Sequence, residues 1–139
     1  MFEQEQDMHR EVRKNFEEKV SYLARAINGM TVDDQGDFLS VDCGLPSDTF
    51  NVIVVRDLSM PARILASIDR FTSKGFPMAV WYWESDVDEA GMSELLQHGL
   101  VHTETHTAMY ADLLKIQLVP LHVEGLEIKQ IEGGFQGCR

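Results

Sequence analysis

Positive charge is scarce in this chain. Lysine and arginine number 12 against 23 aspartates and glutamates, a formal net charge of −11 and a pI of about 4.7. A field of that sign works against non-specific nucleic-acid binding and against anionic membrane surfaces. Long apolar runs are missing as well. None approaches the roughly 20 residues of a membrane span. The opening Met1-Phe-Glu-Gln-Glu-Gln-Asp7 is acidic without an apolar centre, so no secretory leader is expected there. Cysteine is limited to Cys43 and Cys138, which form no ligand or disulfide spacing. Cys43 reads as a small buried hydrophobe. A cytoplasmic protein fits these absences. No serine has a nucleophile-elbow context. Lys74-Gly75 lacks the glycines of a phosphate loop.

What is present, at 44% apolar residues over 139 positions, suffices for one globular domain. The clearest unit runs from Asn51 to Glu84. Asn51-Val-Ile-Val-Val-Arg56 is nearly continuous in apolar, β-branched residues, as a strand buried on both faces would be. Ile64, Leu65, Ile68 and Phe71 then fall on one helical face. Ser59 is a candidate cap, Pro61 suits the first turn, and Gly75 suits the position past the end. A second apolar run, Pro77 to Trp83, follows. Strand, crossover helix and strand imply a parallel pair.

Around that unit, residues 3–27 read as a helix with an apolar stripe of Val12, Phe16, Val20, Leu23 and Ile27, frayed up to Met8. Residues 1–30 form this N-terminal helix, 31–131 an α/β domain and 132–139 a disordered tail. Met30 to Gly36 reads as a polar turn region. Asp37 to Cys43 alternates like a half-exposed strand, antiparallel to the one from Asn51. Ser85 or Asp86 can cap a helix carrying Met92, Leu95 and Leu96 inward, with Gly99 ending it and Leu100 folding back on Leu95. Val101 to Leu113 alternates β-branched and polar residues and reads as a strand. Leu126 to Ile131 reads as another. The expected fold class is α/β: a single-domain mixed β-sheet of about five strands with helices on both faces.

Few residues suggest chemistry. His102, Glu104 and His106, two apart on a strand, would share a face at roughly 6.5–7 Å spacing. They are the candidate metal ligands, since two imidazoles and a carboxylate suit zinc or iron. A solvated strand face is the plainer reading, and no metal is expected. Asp86, Asp88 and Glu89 lack the glycine and distal glutamate of a calcium loop, so a helix N-terminus accounts for them. Trp81, Tyr82 and Trp83 read as core rather than a base-stacking platform.

The element order resembles the core of the GNAT superfamily of N-acetyltransferases, the acyl-CoA N-acyltransferase-like fold. Gly44-Leu45-Pro46, Phe50-Asn51-Val52, Ile64, Ile68, Phe71, Gly75-Phe76-Pro77, Trp81-Tyr82-Trp83, Leu95-Leu96, His98-Gly99-Leu100 and Ala108 to Leu113 together look like the non-catalytic N-terminal half of two-domain members. The resemblance spans residues 37–131 as a scattered pattern. It implies that acetyl-CoA would be held by a loop opening with Gln or Arg and containing two small residues, so that backbone amides approach the pyrophosphate. The equivalent stretch is Arg56-Asp57-Leu58-Ser59-Met60-Pro61. It has no glycine, an acid that repels phosphate, and a proline without an N–H. Tyr110 is not assigned the fold's acid role. Neither catalytic nor cofactor-binding residues are assigned.

The resulting expectation is an acetyltransferase-like domain without its own catalytic site and without a cofactor. Its partner would be a second copy of itself or a catalytic acetyltransferase domain. The alternative is a working N-acetyltransferase using acetyl-CoA on a small amine.

Overall fold

A computed structural model describes residues 2–117 and 123–129. The chain divides into two units, Met1–Ala108 and Met109–Arg139, and every helix and strand among the described residues belongs to the first. Helix α1 spans Phe2–Ala26, and strands β1, β2 and β3 span Thr31–Asp34, Phe38–Asp42 and Val52–Val55. Helix α2 is Ala62–Ser73, β4 is Ala79–Trp81, and α3 is Glu89–Gln97 after a short 3-10 turn at Glu84–Asp86. The sheet order is β1-β2-β3-β4. β1 and β2, and β2 and β3, are antiparallel, while β3 and β4 are parallel, with Val52, Ile53 and Val54 opposite Ala79, Val80 and Trp81.

Register sorts the side chains onto two faces, because strand residues alternate. Phe38, Ile53 and Val55 point toward α2 and α3 and join Leu58, Ile64, Ile68, Phe71 and Leu95 in one buried cluster. Val41 and Val52 point the other way and pack with Ala24 of α1, flanked by Val20, Val32, Ala79 and Trp81. Helices therefore cover both faces of a mixed sheet. Each large aliphatic side chain fully buried here contributes roughly 1.5–3 kcal/mol.

The helix ends follow from local chemistry. At the end of α2, Gly75 takes φ +69°. Its amide reaches Thr72 O at 3.0 Å, and the amide of Phe76 reaches Phe71 O at 3.0 Å, which satisfies the last carbonyls. The end of α3 repeats the device: Gly99 has φ +101°, and Leu100 folds back to bond Leu95 O at 3.3 Å, as the sequence predicts. Buried Asn51 ties the start of β3 to its surroundings. Its Oδ1 accepts from Cys43 N at 2.9 Å, and its Nδ2 donates to Leu45 O at 2.7 Å and Pro77 O at 3.2 Å.

Several expectations are corrected. The polar stretch Thr31–Asp34 is a strand, not part of a turn, and only Gln35 and Gly36 make the reversal before Asp37. Acidic residues disfavour strands, but this is an edge strand held by its pairing with β2. β2 is buried on both faces rather than half-exposed; even Ser40 is enclosed, with its hydroxyl 3.4 Å from that of Ser67 in α2. α1 is rolled relative to its expected stripe. Ser21 and Ala24 are buried, while Leu23 and Ile27 are about half exposed. Small side chains let the helix approach the sheet, and Ser21 satisfies its hydroxyl on Glu17 O at 2.7 Å. α1 is helical from Phe2, so the stretch up to Met8 is not frayed. Asp88, not Ser85 or Asp86, caps α3, accepting from Gly91 N at 2.8 Å. Ser59 does not cap α2; Pro61 holds the N-cap position before Ala62, with no side-chain cap bond. Leu96 is half exposed, not inward, and Cys43 is only half-buried.

The expected strand from Val101 to Leu113 has no ladder partner, and residues 126–129 form no strand, so four strands rather than about five are present among the described residues. In the unit from Met109, a turn at Leu113–Lys115 forms around Asp112, whose carboxylate accepts from Leu114 N at 2.9 Å. Met109, Tyr110, Leu113, Leu114, Leu126 and Ile128 are exposed. The strand expected over 126–131 extends beyond the described residues, as do the expected tail 132–139 and Cys138.

Candidate functional site

The turn after β3 is the first place to look, because ligands of parallel α/β sheets gather at the C-terminal ends of the strands. Arg56 leaves β3 there. Its Nε donates to Glu17 at 2.6 Å, Nη1 to Asp34 at 2.7 Å and to Gly36 O at 3.1 Å, and Nη2 to Asp34 at 3.0 Å. Four of the five N–H groups of the guanidinium are thereby used. The hydrogen bond from Arg56 holds the Asp34 carboxyl down at about 2, assisted by the amide of Gly36. Asp34 in turn raises the pKa of Arg56 further, with Glu17 adding to it against the effect of burial.

The following residues close on themselves. The carbonyl of Asp37 accepts both Arg56 N at 2.8 Å and Asp57 N at 3.0 Å. The Asp57 carboxylate accepts the amide of Ser59 at 2.9 Å, and this bond, with the Ser59 hydroxyl, lowers its pKa. Leu58 is buried beside Leu95. Gly91 of α3 lies so near that a Cβ at that position would sit 2.1 Å from Leu58 O. The first turn of α3 therefore rests directly on the loop backbone. An incoming phosphate would find three amides already taken, an arginine already paired, an adjacent carboxylate and no N–H at Pro61.

A cleft of about 430 Å³ opens on the opposite face of the sheet. It arises from a mismatch of lengths. α1 is about 37 Å long at 1.5 Å per residue, whereas β3 covers roughly 13 Å. The C-terminal half of α1 packs on the sheet, and its first half overhangs the ends of β3 and β4. Arg10, Arg13 and Lys14 of α1, Val54 and Val55 of β3, and Trp83 are among the residues that line the space. Arg13 pairs with Asp86, donates to Ser85 Oγ at 3.1 Å, and lies 5.5 Å from the centre of the Trp83 ring. Phe16 packs between Trp81 and Trp83, with ring centres 5.3 and 6.1 Å away.

The candidate metal ligands do not converge. His102 Nδ1 lies 3.0 Å from the hydroxyl of Tyr82, while His106 stacks edge-on against Trp81 at 5.1 Å. Tyr82 belongs to the cluster under α2 and Trp81 to that under α1, so the two imidazoles serve opposite faces of the sheet. His102 Nε2 also meets Thr105 Oγ1 at 3.1 Å. Glu104 reaches only His106, at 3.2 Å. Among the described residues no group of three His, Cys, Asp or Glu side chains gathers as a metal centre requires. Asp86, Asp88 and Glu89 are accounted for by the pairing with Arg13 and the start of α3. Tyr110 is exposed in the unit from Met109.

Sequence reading misses the cleft. Arg10, Arg13 and Lys14 look like solvated helix positions. The available signal is their spacing of three and four on one face, in a chain with only 12 basic residues. No helix among the described residues is long and apolar enough to cross a membrane. Site and sheet together define a small mixed α/β domain. No family model, no curated protein and no solved structure matches the chain.

Proposed function

We propose that the chain is an acetyltransferase-like domain of GNAT type that does not use the 56–61 loop for acetyl-CoA and serves as a non-catalytic regulatory or interaction half. The observation that carries this reading is the internal occupation of that loop. Arg56 is spent on Asp34 and Glu17, Asp57 holds the Ser59 amide, and Gly91 packs on Leu58 O. The exposed apolar side chains of Met109, Leu113, Leu114, Val123, Leu126 and Ile128 support a partner, either a second copy or a catalytic acetyltransferase domain, because exposed apolar surface favours association. Isothermal titration of the chain with acetyl-CoA tests the reading. No saturable heat is expected; micromolar binding would refute it.

The second reading is a working N-acetyltransferase acting on a small amine. The cleft at the ends of β3 and β4 favours it, since it offers room beside Arg56. Acetyl-CoA turnover against a panel of amines separates the two.

A further inference from the structure

We infer that the cleft between α1 and the ends of β3 and β4 binds a small organic anion with an apolar body, such as an aromatic carboxylate. This goes beyond the proposed function and does not rest on it: the cleft adjoins the 56–61 loop at Arg56, but the groups offered to the ligand, Lys14 and Arg10, lie on α1. Three observations carry it. The first is size: about 430 Å³ falls in the range of small-molecule pockets, roughly 300–1,000 Å³. The second is the floor, where Trp83, with Val54 beside it, presents apolar surface to a ligand body.

The third is charge. Four of the chain's 12 basic residues, Arg10, Arg13, Lys14 and Arg56, line the space, and Glu17 is the one acid among the lining residues. Glu17 already accepts from Arg56 at 2.6 Å. Arg56 and Arg13 are walls, since their donors serve Asp34, Glu17, Asp86 and Ser85. Lys14 pairs with no carboxylate among the described residues. Arg10 meets Asp7 at 2.9 Å and Glu11 at 3.9 Å, but both partners and Arg10 itself are well exposed, so these pairs are weak and exchangeable. His9 stands one turn from Arg13 on the same rim. Lys14 and Arg10, with His9 beside them, are thus the groups left to meet a carboxylate above an apolar floor. The chain's overall charge repels anions, so capture depends on this local concentration of cations.

The test titrates the full chain with 2-naphthoate, 2-naphthylmethylammonium and acetate, followed by calorimetry. Naphthoate should bind saturably, and the amine and acetate should not. Lys14→Glu should weaken naphthoate at least about tenfold, as loss of a charge-assisted contact implies. Lys19→Glu, an exposed change on the same helix outside the cleft, should leave affinity within about twofold and controls for net charge. Thermal melts of both variants check that the fold is kept. Absence of naphthoate binding, equal binding of the amine, or equal losses in the two variants would each overturn the assignment.

Discussion

On the face of the sheet under α2 and α3, Phe38, Ile53, Val55, Ile64, Ile68, Phe71 and Leu95 interlock around Leu58. On the face under α1, Ala24, Val41 and Val52 form the buried cluster, with Leu39 and Val54 buried further along the same face, and a cleft lies beside the first half of the helix. The first face is closed by large side chains. The second is closed at one end by small ones, Ser21 and Ala24, and at the other by ion pairs of Arg56 with Glu17 and Arg13 with Asp86. The difference bears on function. The 56–61 loop is closed by its own hydrogen bonds, whereas the neighbouring cleft has room and basic walls. Packing thus decides which side of the sheet keeps open space.

Adjacent residues of β3 offer the sharpest way to break that comparison. Ile53 points into the dense face and Val52 into the sparse one, and both are fully buried. Ile53→Ala should cost about 3–4 kcal/mol and Val52→Ala about 2 kcal/mol, through lost burial plus the cavity left behind. Urea unfolding measures both, with an unchanged slope showing that only stability moved. Equal losses would mean that the two faces are packed alike.

Gly91 tests the contact that closes the 56–61 loop. In a helix interior, alanine is ordinarily better than glycine by about 1 kcal/mol. Here the added Cβ would meet Leu58 O at 2.1 Å and Leu58 Cβ at 3.1 Å. α3 must move off the loop, so Gly91→Ala should destabilise by about 2–3 kcal/mol, the usual range for overpacking. Amide exchange at Ser59 should quicken with it. A variant as stable as the parent would show that α3 does not hold the loop.

How much of this was legible in residues alone depends on whether the signal was local. The unit of β3, α2 and β4 announced itself through Val52 to Val55, the spacing of Ile64, Ile68 and Phe71, and Gly75. So did the end of α3 at Gly99 and Leu100. Each is encoded within a few positions. β1 was not legible, because Thr-Val-Asp-Asp has the composition of a loop and becomes a strand only through pairing with β2. Ser40 looked solvent-facing because alternation of polarity is silent about a serine buried against Ser67. The stretch from Val101 misled in the opposite direction: its β-branched residues favour a strand, yet His102 and His106 attach to rings on opposite faces of the sheet. The cleft is a matter of helix length against strand length, and no motif carries that.

The smallest expected effect lies in the ion pair that braces Arg56, the partner of Glu17 in α1. Asp34 has a carboxyl pKa near 2 in the folded chain against an ordinary 3.8, because Arg56 and the Gly36 amide stabilise its charged form. The folded value is the lower one, so the stabilisation is complete above the ordinary value and is lost as pH falls from about 4 toward 2. Asp34 is 57% exposed, so water screens the pair and reduces its worth to about 0.5–1 kcal/mol. Asp34→Asn keeps the shape and removes the charge. It should be less stable than the parent by that amount near pH 6, and the gap should close by about pH 2. Asp42, whose own carboxyl is lowered by Lys74 against the effect of burial, titrates in both proteins and cancels in the difference. A gap that stayed constant with pH would mean that the Arg56–Asp34 pairing contributes nothing. The cleft end of α1 would then be held by the pairs of Arg56 with Glu17 and Arg13 with Asp86 and by the aromatic stack of Phe16, Trp81 and Trp83, with no support from Asp34 through Arg56.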